Sequence, residues 1–290
     1  MTDRPAPPVS MFRTPAGEAR YFAAYAATLA LWPVPVESGD VPTRFGPTHV
    51  LRCGPPEAPP LVLLPGQAVS ATMWHANVGA LSQAYRLYAP DIVGDLGKSR
   101  CTRPPQAPAD FSDWLSDVLD GLGLAAAHVA GLSYGGYIAL RLAIGAPQRV
   151  RKLVVMAPAG LRPFRPQYFL RMASVFLPGP LASKQRALLG TVAPAADPVV
   201  KQMLTTTDFR YSMYYPPLCT DAELRGLQAP TLLLIGDREV VFDPRQVLQR
   251  AAGLIPGIET GLIPNAGHAL TLDHPELVNA RLLAFLAQPA

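Results

Sequence analysis

The chain has 290 residues, 49% of them hydrophobic, with 25 basic against 21 acidic side chains. This length and apolar content favour one large domain with an insertion over two independent domains, and no apolar run is long enough to span a bilayer. A net charge of +4 without a basic stripe interleaved with aromatic residues argues against nucleic-acid binding, and the short basic run 149–152 is expected to be a solvated start to a strand.

The N-terminal part of the chain predicts a disordered start at residues 1–10 and then a helix over about 14–32. Thr14 has the character of a helix cap, and Pro15 suits the first helical position. Glu18 and Arg20 precede the apolar stretch 21–31, which is short and lacks a cleavage site, so we expect no signal peptide. The apolar face of this helix consists of Tyr21, Tyr25, Leu29 and Trp32.

Strands and helices then alternate along the chain. Short apolar runs that end at Pro, Gly or Asp predict strands over 48–53, 61–64, 85–89, 127–130, 151–156, 231–235 and 259–263. Helices are predicted between them, near 73–81, 110–122, 137–144, 244–254 and 275–286. The alternation predicts an α/β fold with a mostly parallel central sheet and helices on both of its faces.

The alternation is interrupted after Pro158. Residues 159–222 contain no convincing strand, and helices are predicted near 167–176, 181–189 and 198–203. We therefore predict a helical cap at 159–222, inserted into a core formed by 1–158 and 223–290. Such a cap would cover the carboxyl ends of the strands, where open α/β sheets bind ligands.

The segment Gly131-Leu132-Ser133-Tyr134-Gly135 places a serine between two glycines, at the corner between a predicted strand and a predicted helix. A serine on such a tight turn has strained backbone geometry and an exposed hydroxyl, and a Cβ at either glycine would crowd the turn. The pattern predicts a nucleophilic Ser133. The alternative is a glycine-rich corner without chemistry.

A nucleophilic serine needs a base, and the base needs a third group to orient it. His268 follows the last predicted strand and a Pro-Asn-Ala-Gly turn, which would bring it to the same sheet edge as Ser133. His274 suits a capping or surface role. The remaining histidines lie within predicted strands or a helix: His49, His75 and His128.

Three carboxylates follow the preceding predicted strand and compete for the role of the orienting acid. Asp237 lies beside the turn glycine, and Asp243 precedes a proline in the manner of a helix N-cap. Glu239 comes just before an apolar Val-Val-Phe run that would bury it near the sheet edge. The pattern favours Glu239 and leaves the other two open.

The chain resembles the α/β-hydrolase superfamily from about Thr43 to Leu286, with the nucleophile, acid and base in that family's order. Within the superfamily it resembles the capped serine esterases related to carboxylesterase NP, which also carry Glu at the acid position. The segments that carry the resemblance are Leu63-Leu64-Pro65-Gly66-Gln67, Asp91-Ile92-Val93-Gly94-Asp95-Leu96-Gly97-Lys98-Ser99, the serine corner, Gly236-Asp237-Arg238-Glu239-Val240 and Asn265-Ala266-Gly267-His268.

The resemblance implies an oxyanion hole made by the backbone N–H groups of Gln67 and Tyr134. The chain departs from most relatives at Pro65, where they carry histidine. Proline lacks both an N–H and a side-chain donor, so the contribution of that histidine to the loop is lost, whereas the Gln67 donor is kept.

We expect a cofactor-independent serine hydrolase acting on small-molecule carboxylic esters. Hydrolysis of C–C, lactone or thioester bonds, perhydrolysis and acyl transfer are alternatives on the same triad, as is a catalytically silent ligand-binding homologue. The predicted substrate-binding residues are Trp74, Met156, Phe164 and Tyr214, with Phe169, Phe176, Met203 and Tyr211 as further candidates. At each of these positions a core or cap packing residue is more common than one that contacts the substrate.

No metal-ligand spacing and no dinucleotide or phosphate loop is visible, so no cofactor is expected. The three cysteines, an odd number, have no metal-ligand spacing and argue against a full disulfide set, which favours a reducing, cytoplasmic location. Arg162, Arg165 and Arg171 could attract an anionic substrate, although a solvated surface suits them better. The oligomeric state does not follow from the sequence.

Overall fold

A computed structural model describes residues 11–175, 177–206, 209–210 and 214–289. It contains one eight-stranded sheet in the order β1-β2-β4-β3-β5-β6-β7-β8. The strands are β1 (Glu37–Val41), β2 (Thr48–Cys53), β3 (Pro60–Leu64), β4 (Arg86–Pro90), β5 (Ala127–Leu132), β6 (Val150–Met156), β7 (Thr231–Gly236) and β8 (Glu259–Ile263). β1 and β2 pair antiparallel to their neighbours, and all the other pairs are parallel.

Helices surround the sheet, as the alternating pattern predicts. They are α1 (Pro15–Leu29), α2 (Val78–Leu81), α3 (Pro108–Gly121), α4 (Tyr134–Gly145), α5 (Pro166–Ser174), α6 (Leu181–Leu189), α7 (Asp197–Leu204), α8 (Asp221–Arg225), α9 (Pro244–Leu254), α10 (Leu270–Asp273) and α11 (Pro275–Ala287). None of the helices in the described ranges is long and apolar enough to cross a membrane. The predicted α/β-hydrolase type of architecture, with a mostly parallel sheet, is confirmed.

α1 begins where the sequence predicts it. The Thr14 hydroxyl accepts a hydrogen bond from the Gly17 amide, and Pro15 is the first helical residue. Tyr21 and Tyr25 are fully buried on its inner face. The predicted disordered start at 1–10 lies outside the described residues.

β1 is missing from the sequence prediction. Its residues, Glu-Ser-Gly-Asp-Val, have a low propensity for strands, and most of them are exposed. The strand forms because the edge of β2 supplies its pairing, with Glu37 opposite Arg52 and Val41 opposite Thr48. The helix predicted at 73–81 is also different, since it divides into a 3-10 turn at Ala71–Ala76 and the short α2.

The basic run at 149–152 is not solvated throughout, contrary to the prediction. Lys152 is 1% exposed, because β6 is covered by α11 at this point. Its Nζ donates to the carbonyls of Phe285 (2.8 Å) and Gln288 (2.5 Å), at the C-terminal end of α11. A buried ammonium is thereby satisfied by helix-terminal carbonyls, which lack intrahelical donors.

The described part of the chain between β6 and β7 contains helices and no strand, and Phe209 makes an isolated antiparallel β-bridge with Phe12. α5, α6 and α7 match the three predicted helices, and the end of the first prediction, Phe176, is outside the described residues. Several side chains of this segment belong to the same buried cluster as the sheet: Leu161, Ala193, Ala196, Val199, Cys219 and Leu224. The segment therefore shares the hydrophobic core of the sheet.

Candidate active site

Ser133 occupies a strained corner between β5 and α4. Its φ of 53° and ψ of −111° are rare for a residue with a Cβ. A Cβ on Gly131 would overlap the backbone of Gly135, and one on Gly135 would overlap the carbonyls of Leu64 and Pro65. The flanking glycines therefore let the corner close against the end of β3, as the sequence predicts.

Backbone hydrogen bonds hold this corner from both sides. The Ser133 amide donates to the Met156 carbonyl at 2.8 Å, and the Ser133 carbonyl accepts from the amides of Tyr137 (3.0 Å) and Ala159 (3.1 Å). The end of β6 and the start of the following helical segment thus fix the orientation of the serine. Its side chain is partly exposed at the carboxyl edge of the sheet.

His268 and Glu239 form a direct pair at the same edge. His268 Nδ1 lies 2.8 Å from Glu239 Oε2, and the Glu239 side chain is completely buried. The other carboxylate oxygen, Oε1, accepts the Val241 amide at 2.6 Å. An ionised carboxylate only accepts hydrogen bonds, so this geometry assigns the proton to Nδ1 and leaves Nε2 free to act as a base.

The loop carrying His268 is shaped by close backbone approaches. A Cβ on Gly267 would overlap the Leu189 carbonyl at the end of α6, and that carbonyl accepts the His268 amide at 2.7 Å. The Gly267 amide donates to Asp273 at 2.7 Å. Burial raises the pKa of the Asp273 carboxyl above its ordinary value, while this amide and the Thr191 hydroxyl lower it.

The other two carboxylates have different roles. Asp243 caps α9, accepting the amides of Arg245 and Gln246 at 3.1 Å each, and these bonds, with Arg165, lower the pKa of its carboxyl. Asp237 is exposed. The cap assignment of Asp243 is confirmed, and of the three acids Glu239 alone has a hydrogen bond to His268 among the described residues.

Ser133 is not hydrogen-bonded to His268 within the described ranges. Both residues follow parallel strands whose carboxyl ends share one sheet edge, β5 for the serine and β8 for the histidine. Catalytic hydrogen bonds are often loose in the absence of substrate. The structure thus pairs the predicted base with the predicted acid and places the predicted nucleophile on their side of the sheet.

The loop after β3 runs alongside Ser133. A Cβ built on Gly66 would lie 3.8 Å from Ser133 Cβ. The next amide, that of Gln67, donates no hydrogen bond to another described residue. Tyr134 is the first residue of α4, where backbone N–H groups have no intrahelical acceptor. Both N–H groups predicted to form the oxyanion hole are therefore available beside Ser133.

Sequence reasoning assigned no role to two polar residues that hold this loop. Asp95, 6% exposed, accepts the Ala68 amide, and Gln202 of α7 accepts the hydroxyls of Ser70 and Thr72 at 3.2 Å each. Asp95 stands in the aspartate-rich segment quoted above, and this was the available signal. Gln202 carries no signal in its own segment.

The predicted pocket residues are placed as follows. Trp74 and Met156 are fully buried, and the Trp74 Nε1 has no partner among the described residues. Phe164 packs against Phe242, with tilted rings whose centroids are 5.2 Å apart, and the centroid of Phe242 lies 6.0 Å from that of the His268 ring. Tyr214 packs on Phe111 at 4.9 Å.

The further pocket candidates are less favourably placed. Met203 packs in a small cluster with Val175, Leu188 and Val200, and Phe169 is 58% exposed. Phe176 and Tyr211 lie outside the described residues.

The three arginines that could attract an anion all donate to acceptors within the protein. Arg165 bonds the Glu239 carbonyl and Asp243, Arg162 bonds Gln246, and Arg171 bonds the Arg186 carbonyl. An anionic substrate would compete with these acceptors. In the described ranges, no group of three or more His, Cys, Asp or Glu side chains is arranged to hold a metal ion.

The sequence and the fold were compared with known proteins. A family described as the alpha/beta hydrolase family matches residues 61–281. The chain belongs to this family. It is 37% identical over 276 residues to carboxylesterase YbfK of Bacillus subtilis (strain 168), covering 92% of this chain and 93% of that protein.

Two solved structures from Bacillus subtilis extend the similarity to the fold. Carboxylesterase CesB (YbfK) superimposes with a TM-score of 0.86 at 35% identity, covering 95% of this chain and 100% of that chain. Naproxen esterase (carboxylesterase NP) gives 0.87 at 34% identity, covering 94% and 99%. The resemblance to the esterases related to carboxylesterase NP is therefore confirmed, and the chain is an α/β-hydrolase enzyme.

Proposed function

We propose that this protein is a cofactor-independent serine esterase that cleaves small-molecule carboxylic esters through an acyl-enzyme intermediate. The observation that carries the proposal is the buried Glu239–His268 pair, 2.8 Å apart, on the sheet edge that also carries the strained Ser133 corner. The similarity to two carboxylesterases over more than nine-tenths of the chain supports esters as the substrate class.

Ser133 Oγ attacks the ester carbonyl while His268 Nε2 takes the hydroxyl proton. Glu239 keeps the proton on Nδ1 and stabilises the imidazolium that forms. The amides of Gln67 and Tyr134 bind the developing oxyanion, and Nε2 then gives its proton to the leaving alcohol. Water, activated by the same histidine, hydrolyses the acyl-enzyme and restores Ser133.

Residues 159–222 act as the cap in this proposal, over the core 1–158 and 223–290. Two contacts support it: the Leu189 carbonyl holds the His268 amide, and the Arg165 amide donates to Val241 at 2.8 Å, beside the acid. Phe164, Met156, Trp74 and Tyr214 remain the proposed apolar residues for the acyl or alcohol group.

Ser133→Ala tests the proposal. We expect wild-type protein to cleave p-nitrophenyl esters and to be labelled by a fluorophosphonate, and the variant to lose labelling and at least about 10³-fold in kcat. Ser174→Ala, which removes an exposed hydroxyl bonded only to the Arg171 carbonyl, is the matched control and keeps both activities. A label located by mass spectrometry on any residue other than Ser133 contradicts the assignment.

A wild-type protein that binds esters without cleaving them would instead indicate a silent binding protein. A broad panel of acyl probes, from short to long chains, would then show binding with no burst of alcohol release.

A further inference from the structure

The loop that carries Gln67 has a demanding conformation and few donors of its own to hold it. Pro65 supplies no donor, and Ala68 has a φ of 59°, in the left-handed region that residues with a Cβ seldom adopt. Such a conformation persists only where the surroundings hold it. Something outside the loop must therefore hold the Gln67–Ala68 peptide in place.

Asp95 provides this hold. Its two carboxylate oxygens lie 3.2 Å and 3.0 Å from the Ala68 amide nitrogen, and Oδ1 also accepts the Leu96 amide at 2.7 Å. Asp95 follows β4, which pairs directly with β3, so the anchor comes from the neighbouring strand. Ala68 and Leu96 both contact the aromatic cluster under α1, which excludes water from this side.

We infer that Asp95 is a positioning residue that orients the Gln67 N–H toward the oxyanion. The inference rests on the proposed esterase function. The Ala68 N–H belongs to the peptide unit that begins at the Gln67 carbonyl. Fixing that unit against a rigid carboxylate leaves the Gln67 amide, one peptide earlier, little freedom to turn away from the nucleophile.

The charged surroundings of Asp95 are few. Asp91, which accepts the amides of Ala71 and Lys98 at 2.8 Å each, raises the pKa of Asp95, and burial raises it most, to about 7. The two amide donors lower it. On the side of α4, the titratable neighbour is Tyr134, whose pKa is raised by burial and by the charge of Asp95. The hydrogen bonds from these two amides favour the ionised form of the carboxyl.

The test compares Asp95→Ala and Asp95→Asn with wild type, with active sites counted by fluorophosphonate titration. Removing the anchor is expected to lower kcat per active site about tenfold to hundredfold while KM stays within about threefold, because only transition-state binding needs the Gln67 donor. Asn, which keeps one acceptor oxygen, should fall between. The Ki of a trifluoromethyl ketone, which mimics the oxyanion, should rise in proportion.

Asp110→Ala is the matched control. Asp110 also holds two backbone amides, those of Gln106 and Ala107, but at the start of α3. The inference is overturned if Asp95→Ala lowers only the number of titratable sites or the melting temperature, with kcat per site and the ketone Ki unchanged. If the wild type is active and Asp95→Ala behaves in this way, only the present inference is rejected. If the wild type is not labelled at Ser133, the proposed function is rejected as well.

Discussion

Both oxygens of the Glu239 carboxylate have partners, the His268 ring and the Val241 amide, and these contacts hold the imidazole of the proposed base in one orientation. Glu239→Gln puts an amide N–H where an acceptor is needed, either against Nδ1 or against the Val241 N–H. We expect the wrong imidazole tautomer and a fall in kcat of about 10³- to 10⁴-fold, measured with a p-nitrophenyl ester.

Asp243→Asn is the companion variant for the acid assignment. Asn is an equally good N-cap residue, so the variant keeps the cap of α9 and loses only the partly exposed ion pair with Arg165. Stability should fall by less than about 1 kcal/mol while activity stays within about threefold. The reverse pattern, with the Asn variant inactive and the Gln variant active, would assign the acid to Asp243.

Burial of the Asp95 carboxylate makes stability depend on pH. Its pKa is raised from 3.8 to about 7, so the folded state binds the proton more tightly than the unfolded chain. The free energy of unfolding therefore decreases as pH rises from about 4 to about 7 on account of this group. Asp95→Asn removes the titration, and its stability relative to wild type should grow by a few kcal/mol between about pH 5 and about pH 8.

Thermal unfolding of both proteins across that pH range measures the effect. A difference in melting temperature that stays constant with pH would show that Asp95 is not titrating. If the stability difference grows with pH and the Asp95 variants also lose kcat, Asp95 supports catalysis while it lowers the stability of the fold at neutral pH.

At the level of residues, Ser133, His268 and Glu239 could be singled out from the sequence because each follows a strand with a recognisable turn. Asp95 lies in a segment that the sequence does mark, but neither its role nor that of Gln202 could be predicted, because these roles depend on partners 27 and about 130 positions away. Lys152 was misjudged for the same reason. Its acceptors belong to the end of α11, which no local pattern brings next to β6.

Among the elements, the loop between β8 and α10 allows a sharp test of close packing. Gly267→Ala forces a Cβ into the Leu189 carbonyl, which cannot move without shifting the end of α6. We expect a loss of several kcal/mol in stability together with loss of esterase activity, since the His268 amide is bound to the same carbonyl.

Gly253→Ala in α9 is the control for this substitution. A Cβ there meets nothing within 4 Å, so the same change should stabilise the helix by about 0.5–1 kcal/mol. Urea unfolding compares the two variants. Equal stabilities would show that the backbone around Gly267 is not tightly packed.

The element predictions succeeded where hydrophobic runs were bounded by turn residues, as in β2, β8 and α9, which match their predicted bounds. β1 failed because its pairing comes from β2 and its composition is that of a loop. Hydrophobic periodicity also could not predict that 73–81 divides into a 3-10 turn and α2. Asn77 lies between the two, and its side chain donates to the Thr271 carbonyl and to Asn279, which are distant in sequence.

For the whole molecule, the shared core predicts a single cooperative unfolding transition. The helical segment between β6 and β7 contributes Leu161, Val199 and Leu224 to the same apolar cluster as the sheet. Fluorescence of the three tryptophans, all buried in that cluster, should therefore change together with the helical signal in far-ultraviolet circular dichroism. Helix loss at a lower temperature than the fluorescence change would indicate that the segment unfolds by itself.

The hydrogen bond from the His268 amide to the Leu189 carbonyl has a consequence for how substrates enter the site. Leu189 is the last residue of α6. If the segment 159–222 moved far enough from the core to admit a bulky ester, the Leu189 carbonyl would move with it and the His268 amide would lose its acceptor. In the proposed mechanism, a movement of α6 away from the core would therefore break a contact of His268 and lower activity until the helix returned. Esters small enough to bind without displacing α6 would leave this hydrogen bond intact, and we expect them to be hydrolysed fastest.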